Sequence, residues 1–520
     1  MITTGFLLAL VGFVGALNPI AIVPQGVVNG IHSTVPGVTL PIAKFLGIPY
    51  ARPPQRFSPP VIPGSFAGNS YNATQLQPSC IQQFNYPVAT RDFTLALFNN
   101  PPPASESENC LYLNVYAPSA ATPASLLPVM VWIYGGALQF GSASSPYYDG
   151  SNIAGKQNVI VVTFNYRTNV FGFPNSPELP NIGQNLGLLD QRLALAWIRV
   201  NILAFGGDPL KVTIFGESAG ALSVDAFVTS YPILPTFRAA IMQSGQDSIR
   251  TLTAKPGLGT VSGTSSWNAL AAGLGCSTGS ALACLRAANA LTIKSYIEHA
   301  ELSFQPVVDN VTRVSNPQLK RSNHQIANVP VLIGSNAQEG SAFVYGQSNI
   351  TAALQALFPD NATLQAEVFA TYPVGKDGLN TPAAVVEQIY TDMIFQCPGA
   401  IVANSSSAAG YPTFRYYYNA TFANIQPVPG LGAYHSSEIP LVFGNLPANS
   451  TAAEKSLSAL IQKSWANFAK NPQVGPGWNK LNVNAGVNHV AVFNVNGLGS
   501  VNGGALDKRC VVFKYDLGGF

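Results

Sequence analysis

Charged side chains are scarce in this chain of 520 residues. Lysine and arginine together number 26 and aspartate and glutamate 23, so charged residues make up 9% of the sequence and the formal net charge is +3. There is no run of basic residues and no patch in which they alternate with aromatic ones, so we expect no nucleic-acid partner. No segment beyond the N-terminus reaches about 18 uninterrupted apolar residues, so we predict no transmembrane helix.

Metal-binding patterns are also missing. None of the six cysteines forms a Cys-x-x-Cys pair, and no histidine lies at ligand spacing beside one, so we predict no zinc site. We also expect no other metal and no organic cofactor. Cysteines at this number indicate an oxidising compartment, and the sequence alone allows fifteen pairings. They are Cys80, Cys110, Cys276, Cys284, Cys397 and Cys510.

The first residues have the pattern of a secretion signal. An apolar stretch from Phe6 to about Val14 leads to Ala16, which suits cleavage after that residue, and the stretch is too short to span a bilayer. It lacks a preceding basic segment, and a buried first strand or helix is the alternative interpretation. We expect residues 1–16 to be a signal peptide of a secreted, extracellular protein. Seven glycosylation sequons agree with that expectation: Asn72, Asn310, Asn349, Asn361, Asn404, Asn419 and Asn449.

Short runs of β-branched and apolar residues predict buried parallel strands. They lie at 129–134, 159–164, 212–215, 239–242, 331–333 and 414–418. Helical patterns separate several of them, including residues 188–198, and a further helix is predicted before Pro472. This alternation predicts an α/β fold in which helices cover both faces of a mostly parallel, twisted sheet, with large loop excursions.

Residues 205–220 carry the most informative motif. The apolar stretch 212–215 runs directly into Gly216-Glu217-Ser218-Ala219-Gly220, and a small-residue helix start follows. A buried strand that turns sharply into a helix presents a serine hydroxyl at the edge of a sheet, and glycine is needed where side chains would clash. A glycine-rich structural turn is the alternative in a chain with 47 glycines. The context favours the nucleophile elbow of the α/β-hydrolase fold, with Ser218 as nucleophile.

A serine hydroxyl is a poor nucleophile at neutral pH and needs a base, which in this fold follows an acid along the chain. His435 lies in a small-residue loop after the 414–418 strand, where such a base is expected. His489 lies in an alternating strand, where a structural histidine is the better interpretation. His299 and His324 leave little chain for an acid after Ser218.

Glu339 is the acid that we predict, because it follows the 331–333 strand in a loop and could orient the imidazole. A solvated loop glutamate is the alternative. Oxyanion donors are predicted at the backbone N–H groups of Gly136, Ala137 and Ala219. An ordinary glycine turn would explain Gly135 and Gly136. It would not explain why they follow a predicted strand that precedes the Ser218 turn by one strand-and-helix unit.

Together these residues resemble the type-B carboxylesterase, cholinesterase and lipase family of α/β-hydrolases from about Gly26 onwards. Residues 205–220 fit the family's serine signature, and 107–114 resembles its second signature, with Asn109 where an acidic residue or glycine is usual. Further family motifs are matched at 47–50, 132–136, 339–340 and 434–435.

The resemblance implies a serine hydrolase acting on carboxylic esters through a Ser218–Glu339–His435 triad, with Glu217 and Ser244 beside it. It implies a single domain over 17–520. It also implies the disulfides Cys80–Cys110, Cys276–Cys284 and Cys397–Cys510. The rival interpretation is a hydrolase-fold adhesion or binding protein without catalysis. Such proteins have usually lost a triad residue, whereas this chain retains all three.

Departures from the family pattern bear on the substrate. Ala137 replaces a common glycine and narrows the site, Gln338 replaces a common acid, and the absence of tryptophan between Cys80 and Cys110 disfavours choline esters. The expected partner is a small-molecule or lipid ester, with transient contact to a lipid interface left open. In related lipases the 81–109 loop is a lid, and here a moving lid and a fixed wall are both compatible with the sequence. Lipase, soluble esterase and aromatic-ester hydrolase stay open as well.

Overall fold

The computed structural model describes residues 18–98, 105–248, 250–251, 263–277, 279–513 and 515–516. The predicted signal peptide at 1–16 and residues 99–104 of the 81–109 loop lie outside the described residues. Within them the strands are β1 Ile20–Val23, β2 Gly26–Asn29, β3 Ile31–Ser33, β4 Ile42–Pro49, β5 Ser70–Asn72, β6 Tyr112–Pro118, β7 Leu127–Ile133, β8 Ile160–Phe164, β9 Gly207–Glu217, β10 Ala239–Gln243, β11 Arg250–Thr251, β12 Val331–Asn336, β13 Thr413–Asn419, β14 His489–Asn494, β15 Gly497–Asn502 and β16 Tyr515–Asp516.

The α-helices of the same described residues alternate with these strands over much of the chain. They are α1 Val88–Phe98, α2 Ser151–Gln157, α3 Asn169–Gly172, α4 Leu186–Asn201, α5 Ala219–Ser230, α6 Gly263–Gly273, α7 Ala281–Ala287, α8 Ala290–His299, α9 Pro317–Ser322, α10 Ile350–Leu357, α11 Ala362–Thr371, α12 Pro382–Thr391, α13 Cys397–Ala408, α14 Ile439–Phe443, α15 Ala452–Lys470 and α16 Gly503–Leu506. None is long and apolar enough to cross a membrane in the described part of the chain.

The main sheet has the order β15-β14-β13-β12-β10-β9-β7-β8-β6-β4-β3 among the described strands. The run from β14 to β8 is parallel throughout, whereas β15 and the strands from β6 to β3 pair antiparallel at the two edges. Every residue of β8 and β10 is buried, so helices and loops cover both faces of the central strands. The predicted α/β-hydrolase fold is therefore confirmed.

Each predicted strand run falls in a strand of this sheet, from β7 to β13, and the predicted helices are α4 and α15. The elbow strand β9 is longer than the 212–215 run that predicted it, since it begins at Gly207. The sequence reasoning did not identify β4 and β6, which lie next to each other in the antiparallel half of the sheet. Their residues mix polar and apolar types, so they show no clear strand pattern. Contacts with the rest of the fold bury them.

Three disulfides fix segments outside the sheet, and they join the cysteines that the family resemblance implied. Cys80–Cys110 closes the base of the 81–109 loop. Cys397–Cys510 lies in a second apolar cluster, formed by α10 to α13 with Val512 and Phe513. Clustered disulfide and apolar contacts hold this C-terminal segment against the helices.

The seven sequon asparagines are exposed or partly exposed, and none is buried. Two of them, Asn349 and Asn361, cap the N-termini of α10 and α11 through their side-chain oxygens. Their glycosylation stays a prediction, as does the single-domain organisation.

Candidate active site

The turn after β9 holds Ser218 in a strained backbone conformation with positive φ. Its φ and ψ are 55° and −123°, and α5 begins at the next residue. The Ser218 N–H donates to the carbonyl of Gln243 at 2.9 Å, which fixes the turn to the neighbouring strand β10. The side chain stays partly exposed at the end of the sheet. A non-glycine residue at this φ is strained, and such strain is typical of functional turns.

The two glycines that flank Ser218 in the motif allow β7, β9 and α5 to approach each other closely; they are not there for flexibility. Gly216 lies opposite Ile133 of β7, and a Cβ on it would come within 2.6 Å of the Gly220 backbone. A Cβ on Gly220 would overlap the carbonyl oxygen of Ile133. Any side chain at either position would therefore separate β9, α5 and β7.

Glu339 lies in the loop that follows β12, and its side chain is fully buried. The backbone N–H of Asn336, the last residue of β12, donates to Glu339 Oε1 at 2.6 Å. The next residue is Gly340, whose N–H donates to Thr391 Oγ1 at 2.8 Å. The first bond fixes the carboxylate and the second fixes the backbone beside it, which leaves Oε2 to face the imidazole.

His435 follows β13, and its Nδ1 lies 2.7 Å from Glu339 Oε2. Gln338 joins the two loops, since its N–H donates to the Ala433 carbonyl at 3.0 Å and its Oε1 accepts from the Ala433 N–H at 2.8 Å. The residue that departs from the family pattern therefore supplies a double bridge. His435 is 2% exposed, and within the described residues its Nε2 makes no hydrogen bond.

Two further carboxylates lie in this cluster. Glu217 Oε1 lies 3.2 Å from His435 Nε2 and accepts a hydrogen bond from Ser436 Oγ at 2.6 Å. Glu438 accepts from Asn336 Nδ2 at 2.7 Å and from Gln243 Nε2 at 2.9 Å. Sequence reasoning missed Ser436 and Glu438. The only sequence feature that could have predicted their place in the site is their position one and three residues after His435.

The buried carboxylates shift the proton equilibria of the cluster. Burial alone would lower the pKa of His435, but the nearby Glu217 charge and the Glu339 hydrogen bond outweigh it and raise the pKa to about 9. Burial raises the pKa of Glu217, and the charge of Glu438 adds to that rise. Burial and the Glu339 charge likewise raise the pKa of Glu438. His435 therefore releases its proton less readily than a free imidazole does.

Replacing Glu217 with glutamine should make the enzyme active at lower pH. A base must be neutral to accept a proton, so kcat/KM should rise with pH towards the His435 pKa of about 9. Removing the Glu217 charge takes away a force that raises this pKa, so the acid limb of the kcat/KM–pH profile should move down by about one pH unit or more. Ester hydrolysis measured across the pH range gives the profile.

The matched control is Glu367→Gln, which removes an exposed carboxylate from α11. This variant should leave the profile where the parent enzyme has it. An acid limb that stays in place in Glu217→Gln, or moves to higher pH, would contradict the assignment of Glu217 as the group that raises the pKa of His435.

The predicted oxyanion donors lie around the same serine. Gly136 and Ala137 have φ values of 102° and 55°, in the turn that follows β7. The N–H groups of Gln139 and Phe140 donate back to the Gly136 carbonyl, whereas those of Gly136 and Ala137 donate to no backbone carbonyl of the described chain. Ala219 is the first residue of α5, where backbone N–H groups lack helical partners. The arrangement can present N–H donors to a substrate oxygen, and the role itself stays a prediction.

A cavity of about 1090 Å³ opens onto Ser218 and His435. This volume lies at the top of the usual range for small-molecule sites. The described lining residues include Gly136, Ala137 and Ala219, and the only ionisable acids or bases among them, tyrosines aside, are Glu217 and His435. Most of the remaining wall is apolar or aromatic. The cavity therefore suits a bulky, uncharged molecule.

Helix α1 lies over this cavity. The ring of its last residue, Phe98, is 6.1 Å from the His435 ring, and Phe93 stacks on Tyr345 at 5.4 Å. No residue of α1 is buried. Phe84, nearer the Cys80 disulfide, is buried, and its N–H donates to Glu298 Oε1 at 2.9 Å. The loop thus combines a fixed base with a loosely packed helix above the site.

Ser244 also borders the cavity, at the end of β10. Its φ is 52°, and its Oγ is buried without a hydrogen-bond partner among the described residues. The Ser244 N–H donates to the Gly334 carbonyl at 2.8 Å, and a role for its side chain beside the triad stays a prediction. Within the described residues there is no group of three or more potential ligands that could hold a metal ion.

Comparison with known proteins agrees with this geometry. Residues 18–494 match the carboxylesterase family. The chain is 35% identical to a para-nitrobenzyl esterase of Bacillus subtilis (strain 168), covering 85% of this chain and 86% of that protein. It is 33% identical to secreted lipase 5 of Gibberella zeae, covering 84% and 83%, and to carboxylesterase 1C of Rattus norvegicus, covering 87% and 85%. The resemblance inferred from the motifs is therefore confirmed: the chain belongs to the carboxylesterase family and is a carboxylic ester hydrolase.

Proposed function

We propose that the protein is a secreted serine hydrolase that cleaves carboxylic esters through an acyl-enzyme intermediate. The observation that carries this proposal is the convergence at one cavity of Ser218 on its strained turn and His435 hydrogen-bonded to buried Glu339. Ordinary packing gives no reason to bury a histidine and a carboxylate beside a strained serine. Nucleophilic catalysis needs all three.

In the proposed reaction, Ser218 Oγ attacks the ester carbonyl while His435 Nε2 takes the hydroxyl proton. Glu339 holds the Nδ1 proton of His435 and stabilises the imidazolium that forms. The N–H groups of Gly136, Ala137 and Ala219 stabilise the oxyanion. His435 then protonates the leaving alcohol. Water attacks the acyl-enzyme with His435 as base, and Ser218 and the free acid are regenerated.

Secretion is part of the same proposal. The three disulfides and the accessible sequon asparagines support an oxidising, extracellular destination. The secreted lipase of Gibberella zeae is among the relatives that cover most of the chain. Residues 1–16 would supply the signal.

The cavity supports a preference for esters with a bulky apolar acyl group. Part of its wall comes from α10, where Ala353 borders the cavity and is buried. Val386 and Tyr390 of α12 line it as well, and all three belong to the second apolar cluster. A long acyl chain would be shielded from water along this wall, which is favourable in proportion to the apolar area removed.

Chain-length preference tests this proposal. The enzyme should hydrolyse p-nitrophenyl esters from acetate to palmitate, with kcat/KM rising as the chain lengthens. Ala353→Phe occupies part of the cavity beside α10. It should lower kcat/KM for palmitate about tenfold or more, because a few methylene groups of the acyl chain can no longer be buried there. Acetate turnover should change little, and it shows that the variant has folded.

Ala366→Phe adds the same bulk at an exposed position of α11 outside the cavity, and should leave both substrates unaffected. Equal losses for acetate and palmitate in Ala353→Phe would argue against an acyl site at α10. Lack of turnover of any ester by the parent enzyme would refute the proposed function. Measurements below and above substrate solubility add a further result: a jump in rate at the interface would mean that α1 moves, and a steady rate that it is a fixed wall.

A further inference from the structure

Gln305 places a buried hydrogen-bond donor in the wall of the Ser218 cavity. Gln305 is one of the residues that line the cavity, and its Nε2 is shielded from solvent with no hydrogen-bond partner within the described residues. Leaving a buried amide donor without an acceptor is destabilising, and buried polar groups in native proteins almost always have partners. In a wall that faces substrate, the acceptor that completes this bond can belong to the substrate.

The backbone that carries Gln305 is held in place by buried polar contacts. The Gln305 carbonyl accepts a hydrogen bond from Asn175 Nδ2 at 3.0 Å. The next carbonyl, of Pro306, accepts from Arg313 Nη1 at 2.8 Å. The Arg313 guanidinium also donates to the Asp247 carboxylate from Nε at 2.9 Å and from Nη2 at 2.7 Å. Both ions of this pair are buried, so the backbone at Pro306 is anchored to a charged pair that is costly to break.

The same arginine connects Gln305 to the nucleophile. Asp247 follows Gly245 by two residues, and Gly245 packs so closely on the turn that a Cβ there would overlap the Ser218 carbonyl. Arg313 therefore fixes the Gln305 segment against the wall beside Ser218. These contacts hold the backbone of the segment and leave the Gln305 side chain able to rotate about its own torsions, so that its amide can turn towards an acceptor in the cavity.

The other polar groups of the wall differ from Gln305. Gln347 borders the same cavity but is exposed, so water satisfies its amide. Among the described lining residues, Gln305 Nε2 is the one side-chain amide nitrogen that is buried without a partner. No lysine or arginine of the described chain borders the cavity, so nothing there would bind a carboxylate by charge.

We propose that Gln305 is a specificity-determining residue that donates a hydrogen bond to a neutral acceptor oxygen of the substrate. The preferred substrate is then an uncharged ester whose otherwise apolar acyl or alcohol group carries an ether, carbonyl or hydroxyl oxygen. This oxygen is distinct from the scissile carbonyl, which the predicted oxyanion donors serve. The inference rests on the proposed ester hydrolysis at Ser218.

Paired esters that differ in one atom test the inference. One series compares p-nitrophenyl alkanoates with analogues in which a single methylene, from the γ position outwards, is replaced by an ether oxygen. A second series makes the same replacement in the alcohol of alkyl hexanoates. Each kcat/KM is divided by the rate of hydroxide-catalysed hydrolysis, which removes differences in intrinsic reactivity. The parent enzyme should favour one oxygen position in one series by about tenfold.

Gln305→Met keeps the side-chain length but removes the donor, and should reduce that preference to within about twofold by lowering kcat/KM for the ether-containing ester. Gln473→Met makes the same change at an exposed amide outside the cavity and should keep the full preference. A parent enzyme with no oxygen preference, or a preference that survives in Gln305→Met, would overturn the inference while leaving ester hydrolysis established. Failure to hydrolyse any ester of either series would instead overturn the proposed function.

Discussion

Replacing Ser218 with alanine should abolish ester hydrolysis and leave the fold intact. The acyl-enzyme forms on Ser218 Oγ, and without it only the weak assistance of the oxyanion donors and substrate binding is left. We expect kcat to fall on the order of 10⁵-fold. The side chain is partly exposed and its removal leaves no buried cavity, so the thermal unfolding midpoint should change little. Hydrolysis of p-nitrophenyl esters and a thermal scan measure both.

A fluorophosphonate probe gives the same test without a substrate. It should label the parent protein once, at Ser218, and should not label Ser218→Ala. The matched control is Ser230→Ala at the end of α5, which removes a hydroxyl that accepts from Arg192 at 3.0 Å and should keep both labelling and turnover. Absence of labelling in a folded parent protein would favour a catalytically silent binding protein.

Replacing Glu339 with glutamine should lower kcat about 10⁴-fold. The amide can keep one hydrogen bond to His435 Nδ1, but it cannot stabilise an imidazolium, and its NH₂ group favours the wrong tautomer of the ring. The acceptor that the Asn336 N–H uses, Glu339 Oε1, can be supplied by the glutamine carbonyl instead. Loss of activity should therefore exceed loss of stability by far. Steady-state kinetics and thermal unfolding of one preparation separate the two.

Glu454→Gln is the matched control, because Glu454 is also fully buried but caps α15 and does not itself line the cavity. This variant should lose some stability from the helix cap and keep its kcat. If Glu339→Gln retained more than a tenth of the parent kcat, Glu339 would not be the acid of the triad. The neighbouring Glu438 would then be the first candidate to replace it.

The elbow and the central strands could be predicted because their signals are local. Strands such as β8 are buried on both faces and contain only apolar or β-branched residues, and the glycines around Ser218 lie within five consecutive positions. His435 and Glu339 could be proposed from the sequence because each follows a recognisable strand. Their hydrogen bond is an observation that only the structure supplies.

Other parts of the site arise from contacts between distant segments. Phe98, Phe343 and Phe395 surround His435 with ring centroids 6.1, 5.1 and 4.6 Å away, yet they come from three separate segments of the chain. No spacing in the sequence relates them. The same holds for Gln305 and Arg313, whose partners lie in other loops. Neither secondary-structure propensity nor hydrophobic periodicity predicts which loops are in contact.

The packing of Gly220 against the Ile133 carbonyl has a consequence for how such sequences drift over evolutionary time. Gly216 and Gly220 are required by the closeness of β7, β9 and α5, and this requirement does not depend on the serine between them. A descendant that lost Ser218 and became a pseudoenzyme would still need both glycines to fold. The glycine pair is therefore evidence for the structure of the turn, and only the Ser218 hydroxyl is evidence for catalysis.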